Sequence, residues 1–272
     1  MNRLLLVLVV AVLIGLPLLP VTPEFWITHL NYIGLASLVV LGLVLLTGIG
    51  GLTSFGQAAF VGVGAYTTAW LTQAMGWSPW GALPVGLFIT FLIALLIGAV
   101  TLRLSGHFLP LGTIAWSLSL YYLFGNLEFL GQHGGISGIV PLSFFGISLA
   151  GGRQIYYLIW ACVLLSLLLT RNLLYSRPGR AIRALRSGGG MAESFGINMA
   201  WYKTVIFIYA ALLACLSGWL YAHMQRAVSP SPFGLNYSIE YLFMAVVGGS
   251  GSVWGAVVGS SLILTLKDQI QN

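Results

Sequence analysis

Long apolar segments follow one another along nearly the whole chain, and few charged residues interrupt them. Hydrophobic residues make up 58% of the 272-residue sequence, and charged residues only 6%. A soluble domain carries about 25% charged residues, so this chain lacks the polar side chains that a water-facing surface needs. The pattern predicts an all-α, polytopic membrane bundle, because a helix satisfies all its backbone hydrogen bonds within lipid.

The apolar segments divide into seven predicted spans and two shorter pieces. A full helical crossing needs roughly 20 residues. The predicted spans cover residues 4–19, 28–46, 55–75, 81–102, 107–124, 155–170 and 204–223, and the short pieces cover 237–247 and 253–266. We interpret the first span as retained rather than as a cleaved signal peptide, because no small-x-small cleavage site follows it. Residues 125–154 are too polar and glycine-rich to span.

The polar segment 171–203 predicts the orientation of the bundle. It holds six of the eleven lysine and arginine residues. Such clusters stay on the cytoplasmic side of the membrane. The N-terminus is then also cytoplasmic, and the segment 125–154 lies outside.

Part of this basic segment has the pattern of an amphipathic hairpin. Arg180, Arg183 and Arg186 recur every three residues, with Ile182 and Leu185 between them, and a triple-glycine break follows. We predict two short helical pieces that dock onto a soluble partner. The arginines have a second interpretation, as topology-determining charges beside anionic lipid.

Two glycine-rich breaks, residues 48–66 and 246–260, resemble each other in opposite halves of the chain. Paired glycine-interrupted segments are typical of transporters with internal repeats and a pathway between them, and they predict short or re-entrant helices here. The alternative is that small residues only allow helices to pack closely. Residues spaced for such packing are Ala58, Gly62, Ala210, Ala214, Gly218, Ala222, Gly251, Gly255 and Gly259.

The polar residues at these breaks are the candidates for a translocation pathway. Ser54 and Gln57 have the S-x-x-Q spacing of a capping box, which predicts a helix start. Helix starts near Ser54 and Ser252 would offer amide dipoles to a ligand. Thr53, Gln57 and Tyr66 would add polar contacts.

Catalytic and metal-binding patterns are missing from the sequence. It has no G-x-x-x-x-G-K-[ST] loop, no metal-ligand spacing and no basic stripe for nucleic acid. It also lacks the intramembrane Asp, Glu or His relay of ion-coupled pumps. We therefore predict no enzyme activity, no metal and no cofactor, and an energy source outside the chain.

We interpret Glu240 either as an acid favoured by the dipole of a helix's first turn or as a gate at the outer mouth.

Five motifs occur in order along the chain. They are GGLTSFGQAAFVGVGAYTTA from residue 50, LRLSGHFLPLGTIA at 102–115, GGISGI at 134–139, RALR…AESFGIN…YK at 183–203 and SPFGLNYSIEYLFMAVVGGSGSVWGAVVGS at 231–260. Together they resemble the permease subunits of branched-chain amino-acid ABC importers, the LivH/LivM permease family, in its LivM type. The resemblance covers nearly the whole chain.

The resemblance implies one ABC importer transmembrane domain over residues 1–272, in a bacterial inner membrane. Family members continue into a further hydrophobic span after this point, so we expect either a truncated sequence or a bundle one helix short. The implied partners are a second, LivH-like permease subunit, two cytoplasmic ATP-binding subunits that bind the ATP, and a periplasmic substrate-binding protein. The implied function is alternating-access import of branched-chain amino acids. The alternatives are a permease for urea or short-chain amides, a stand-alone solute channel and, with no supporting motif, a membrane enzyme.

The resemblance also assigns candidate contact sites. The coupling segment maps onto residues 179–198, although glycines 188–190 depart from the family's helical stretch. Its candidate residues are Arg180, Arg183, Arg186, Glu193 and Gly196. The candidate docking residues for the binding protein are Glu128, Gly135, Arg226 and Glu240.

Overall fold

The computed structural model describes residues 23–102, 108–144, 147–185 and 198–271. The helices within them are α1 (Glu24–Leu43, continued by a π-helical turn, Val44–Ile49), α2 (Gln57–Gln73), α3 (Pro79–Thr101), α4 (Phe108–Asn126), α5 (Gly152–Tyr175), α6 (Arg177–Ala184), α7 (Met199–Gln225), α8 (Leu235–Val247) and α9 (Gly255–Gln271). Short 3-10 turns lie at Glu128–Leu130, Gln132–Gly134 and Ser231–Phe233. The strands are β1 (Ile136–Ser137), β2 (Ser143–Phe144), β3 (Ile147–Ser148) and β4 (Ala227–Val228).

The helices confirm the all-α, multi-pass architecture. Five helices in the described ranges are long and apolar enough to cross a membrane: α1 with its π-helical turn, α3, α4, α5 and α7. Helix α2 has 17 residues and α8 only 13. The predicted first span, residues 4–19, lies outside the described residues.

Helix α7 forms the centre of the bundle, and small residues along it allow the neighbouring helices to approach closely. Gly218 lies so close to α2 that a Cβ there would overlap the Val61 carbonyl. The backbone at Ala210 fits against Gly42 of α1. Ser217 adds a side-chain link to α1 by donating a hydrogen bond to the Leu35 carbonyl at 2.9 Å. The predicted packing role of the α7 small-residue stripe is therefore confirmed.

Helices α3 and α4 present an apolar outer face. Phe88 and Leu96 on α3, and Phe108 and Leu111 on α4, are each about 60% exposed. Large exposed apolar side chains suit contact with lipid rather than with water. These two helices thus form part of the surface that faces the bilayer or another hydrophobic subunit.

The segment between α4 and α5 is tied to the residues that follow α7. Strands β1 and β4 pair antiparallel, with Ile136 opposite Val228. The Arg226 carbonyl accepts hydrogen bonds from the amides of Gly138 and Ile139, at 3.0 and 3.1 Å. Because the Arg226 backbone adopts a left-handed conformation, with φ of 56°, the chain turns sharply from α7 into the β1–β4 pairing. The described part of the predicted non-spanning segment, residues 125–144 and 147–154, is confirmed as a short, folded cap on one end of the bundle.

Helix α6 is the first piece of the predicted amphipathic hairpin. It begins after Ser176, whose hydroxyl accepts the Gly179 amide, and it has a proline in its first turn. Ile182 and Leu185 are buried, whereas Arg180 and Arg183 point outward. This confirms the predicted amphipathic pattern up to residue 185. Arg186, Glu193 and Gly196 lie outside the described residues.

Candidate functional site

The two glycine-rich breaks meet in space. The end of the π-helical turn touches the loop between α8 and α9, where a Cβ on Gly48 would overlap the Ser250 carbonyl. A second contact joins α2 to α8, where the Ser238 hydroxyl accepts a hydrogen bond from the Ala58 amide at 3.1 Å. The sequence similarity between the two halves thus corresponds to direct contact between them.

The predicted Ser54–Gln57 capping box is wrong. Helix α2 starts at Gln57 with Gly56 at the cap position and no capping side chain of its own. The hydroxyl of Ser54 reaches only the Gly56 amide, at 3.4 Å, and α8 supplies Ser238 to the first turn instead. Gln57 is 0% exposed, and its side-chain amide has no hydrogen-bond partner among the described residues.

Helices α8 and α9 form a hairpin whose contact is made largely by backbone. A Cβ on Gly255 would meet the Gly248 carbonyl, and one on Gly259 would meet the Met244 carbonyl. Both glycines therefore have the predicted close-packing role. A Cβ on Gly251 would meet nothing within 4 Å, so the prediction fails there, because this residue precedes the helix.

A pocket of about 370 Å³ lies between α1, α7, α8 and α9. We call it the ion-pair pocket, because Lys267 of α9 contacts both carboxylate oxygens of Glu240 of α8 there, at 2.9 and 3.0 Å. The Lys267 ammonium also lies 5.4 Å from the centre of the Tyr237 ring. The pair is partly enclosed, with the Glu240 side chain 22% exposed.

This position corrects the dipole interpretation of Glu240. The first turn of α8 contains no acidic residue, because the helix begins at Leu235 and Glu240 lies in its second turn. The carboxylate is held by a cation on the neighbouring helix instead. Ionisable side chains within a membrane bundle commonly mark functional sites.

The walls of the ion-pair pocket combine aromatic hydroxyls and aliphatic surface with the side chains of His29 and Asp268. Tyr32 and Tyr221 contribute from α1 and α7, and the Gln225 amide donates a hydrogen bond to the Tyr32 hydroxyl. The aliphatic lining residues include Leu35, Val61, Met244 and Leu264. Ligand pockets of about 300–1,000 Å³ with apolar walls and a few convergent polar groups are common in proteins. This arrangement fits a small molecule with charged and apolar parts.

A second cavity, of about 530 Å³, lies where α5 and α6 meet the loop between α8 and α9. We call it the basic groove. Its cations, Arg171 and Arg183, each place the guanidinium carbon 5.8 Å from the centre of the Tyr175 ring. Ser252 and Trp254 line the opposite side.

The predicted pathway residues do not form one cluster. Ser54, Gln57 and Tyr66 are buried in the bundle and, like Thr53, line neither of the two large cavities. The Tyr66 ring stacks on Phe124 with 4.9 Å between centroids. Ser252 lies apart from them, in the basic groove.

Three of the four predicted docking residues lie on the folded cap. Gly135 packs so closely on β4 that a Cβ would overlap the Val228 carbonyl. Arg226 anchors the β1–β4 pairing, and the Glu128 carbonyl accepts the Gly131 amide at 3.0 Å. Glu240 is separate from this group, in the ion-pair pocket.

Sequence reasoning missed Lys267, Tyr32, Tyr221 and Ser238 as site residues. Lys267 lies in the polar last turns of α9, beside Asp268 and Gln269, so the sequence carries no clear signal of its contact with Glu240. The tyrosines carry no signal either, because aromatic residues are frequent throughout this chain. Their convergence depends on helix packing.

Comparison with known proteins identifies the family. A family model described as branched-chain amino acid transport system / permease component matches residues 25–272. The permease protein LivM of Salmonella typhimurium strain LT2 is 28% identical over 256 residues, covering 85% of this chain. LivM of Escherichia coli K12 matches with the same identity and coverage. No solved structure matches.

The match extends to the other permease type of this system. The probable LivH permease of Methanocaldococcus jannaschii is 29% identical over 244 residues, covering 85% of this chain and 76% of the relative. The chain spans 60% of the length of the two LivM relatives. With the family model covering nearly all of its length, the chain belongs to the branched-chain amino acid transport system permease family.

Proposed function

We propose that this chain is a permease subunit of an ATP-driven importer for branched-chain amino acids. The relatives are named as permease proteins of branched-chain amino acid transport systems, and the five long apolar helices supply a membrane-embedded body. The sequence has no nucleotide-binding loop. Energy therefore comes from two separate ATP-binding subunits, and a second, LivH-like permease completes the membrane part. The whole chain acts as one transmembrane domain.

The ion-pair pocket is the observation that carries this proposal. A free amino acid at neutral pH has an ammonium, a carboxylate and, in the branched-chain class, an aliphatic side chain. Glu240 and Lys267 match the two charges, and the aliphatic wall near Leu35 and Leu264 matches the side chain. Without substrate the two residues neutralise each other, which lowers the cost of keeping charges partly enclosed.

Substrate entry requires the pair to exchange partners. The substrate ammonium replaces Lys267 at the Glu240 carboxylate, while the substrate carboxylate takes the Lys267 ammonium. The number of charge-assisted hydrogen bonds is conserved, and the aliphatic side chain leaves water. Tyr32 and Tyr221 supply hydroxyls beside these charges. Uncharged solutes such as urea gain no comparable exchange, which favours amino acids over amides.

Orientation and coupling follow from the charge distribution. The segment 171–203 faces the cytoplasm, so α6 offers Arg180 and Arg183 to the ATP-binding subunits, together with the flanking segment 186–198. The folded cap, with Glu128, Gly135 and Arg226, faces a periplasmic substrate-binding protein. Movement transmitted through α6 then alternates access to the bundle, in a bacterial inner membrane.

Uptake measurements test the proposal. The chain is produced together with its second permease, ATP-binding and substrate-binding subunits, and uptake of labelled leucine and urea is compared. We expect leucine uptake that requires ATP hydrolysis, and a decrease of about tenfold or more for Glu240→Gln and for Lys267→Met, because removing one partner of a hydrogen-bonded charge pair is costly.

The second ion pair of the described chain, Glu24 with Arg153 at 3.2 Å, provides the control. Glu24→Gln and Arg153→Gln should leave uptake close to the wild-type rate. Leucine uptake without ATP hydrolysis would indicate a channel, and uptake of urea but not leucine would indicate an amide permease. Either result contradicts the proposed function.

A further inference from the structure

We infer that the basic groove is a binding site for an anionic phospholipid. The groove holds aliphatic and cationic residues in separate regions, which match the acyl chains and the phosphate headgroup of a phospholipid. Its volume of about 530 Å³ accommodates part of one lipid. The basic groove is separate from the ion-pair pocket, and the lipid site shares only Arg183 with the proposed contact to the ATP-binding subunits.

The order of side chains along α5 matches the order of parts in a lipid. Leu164, Leu168, Arg171 and Tyr175 are spaced by three or four residues, so they follow one face of the helix. All four line the groove. Leu164 and Leu168 form an apolar surface, and Arg171 and Tyr175 follow at the C-terminal end of the helix, an order typical of the interfacial end of a membrane span. Leu168 is 48% exposed, so an acyl chain can reach it from the bilayer.

Two arginines converge at the headgroup end of the groove. Arg171 of α5 and Arg183 of α6 lie over the same Tyr175 ring, each at 5.8 Å. Both side chains are exposed, and neither takes part in the two ion pairs of the described residues. Arginine binds phosphate in a bidentate geometry, and both guanidinium carbons lie within 5.8 Å of the centre of one ring.

The opposite wall of the groove explains why a lipid is favoured over a soluble anion. Leu167 and Leu174 of α5 are buried at the floor of the groove, and Val253 and Trp254 form the facing side, in the loop between α8 and α9. A free phosphate would contact only the cations and would leave this apolar surface in water. A lipid covers both parts, with each cation near the bilayer surface adding electrostatic attraction.

Native mass spectrometry of the purified full-length chain tests the site. The delipidated protein is titrated with phosphatidylglycerol and with phosphatidylcholine of identical acyl chains. We expect phosphatidylglycerol to bind about tenfold more tightly, and Arg171→Gln with Arg183→Gln to abolish this preference. Arg171→Lys with Arg183→Lys should retain most of it, because the charges remain. Arg153→Gln, at the opposite end of α5, is the matched control.

Two further arms separate the lipid from other occupants. Inorganic phosphate at millimolar concentration should not displace phosphatidylglycerol; displacement would indicate a simple anion site and overturn the inference. A photo-crosslinker placed at Leu168 in the assembled complex should label lipid. Crosslinking to another polypeptide subunit instead would show that a protein covers the groove, and equal binding of both lipids would likewise refute the proposal.

Discussion

Ser238 completes the start of a helix that lies 180 residues earlier in the chain, because its hydroxyl accepts the amide hydrogen of Ala58 at 3.1 Å. Helix α2 begins inside the bundle, where water cannot satisfy its first amides. The side chain that does so comes from α8. The two halves of the chain are thus joined at a point where each would otherwise leave a polar group unpaired.

Ser238→Ala should therefore destabilise the protein by about 1–2 kcal/mol, as loss of a buried cap does. Thermal unfolding of the purified chain in detergent measures the effect. Ser119→Ala is the control, since its hydroxyl is exposed and bonds only to the Ala115 carbonyl of its own helix. An equal change for both variants would contradict the capping role.

Gly218→Ala should be among the most damaging single-methyl substitutions in the bundle. The added Cβ overlaps the Val61 carbonyl, so α2 and α7 must separate, at a cost of roughly 1–3 kcal/mol. Gly134→Ala adds the same methyl group where nothing lies within 4 Å. Comparing the melting temperatures and expression yields of the two variants checks the prediction, and similar values would argue against close contact between these helices.

The Glu240–Lys267 pair should show measurable energetic coupling. We expect a double-mutant cycle with Glu240→Gln and Lys267→Met to give about 1 kcal/mol, because the Glu240 side chain is only 22% exposed. The corresponding cycle for Glu24 and Arg153, where the glutamate side chain is 74% exposed, should give less. Unfolding free energies of the four variants in each cycle provide the measurement; coupling no larger than in the exposed pair would contradict the enclosed position.

Labelling of single cysteines tests the proposed orientation. Gly134→Cys on the folded cap should react with a membrane-impermeant maleimide applied outside intact cells, and Arg177→Cys at the start of α6 should react only after the cells are opened. The native Cys215 is buried, and Cys162 is partly buried, so the unsubstituted chain serves as the background control. Labelling of Arg177→Cys from outside would reverse the assigned topology.

Much of the helical architecture could be predicted from the sequence, because it follows from composition and length. The alternation of apolar segments with polar breaks predicts the helices, and the spacing of small residues on α7 predicts its close packing at Gly218. Arg180 and Ile182 similarly predict the exposed and buried faces of α6. These features depend on local periodicity, which the residues themselves carry.

The candidate site could not be predicted in the same way. Glu240 has a favourable local explanation at a helix start, yet the helix begins at Leu235 and the partner is Lys267, 27 residues further on. The S-x-x-Q spacing of Ser54 and Gln57 matches a capping motif, yet Ser238 takes that role. In both cases a tertiary contact outweighs a local preference. A pattern in one sequence does not predict which distant side chain makes that contact.

The glycine contact between α8 and α9 has a mechanical consequence. Gly255 and Gly259 face the backbone of Gly248 and Met244. Because glycine has no side chain, these positions offer little resistance to sliding of α9 along α8. At one end of the hairpin Glu240 and Lys267 form a charge contact, and at the other end Ser250 of the connecting loop packs on Gly48 of the π-helical turn. A solute that separates Glu240 from Lys267 would break the contact at one end of the hairpin and would leave the glycine contact between α8 and α9 unchanged.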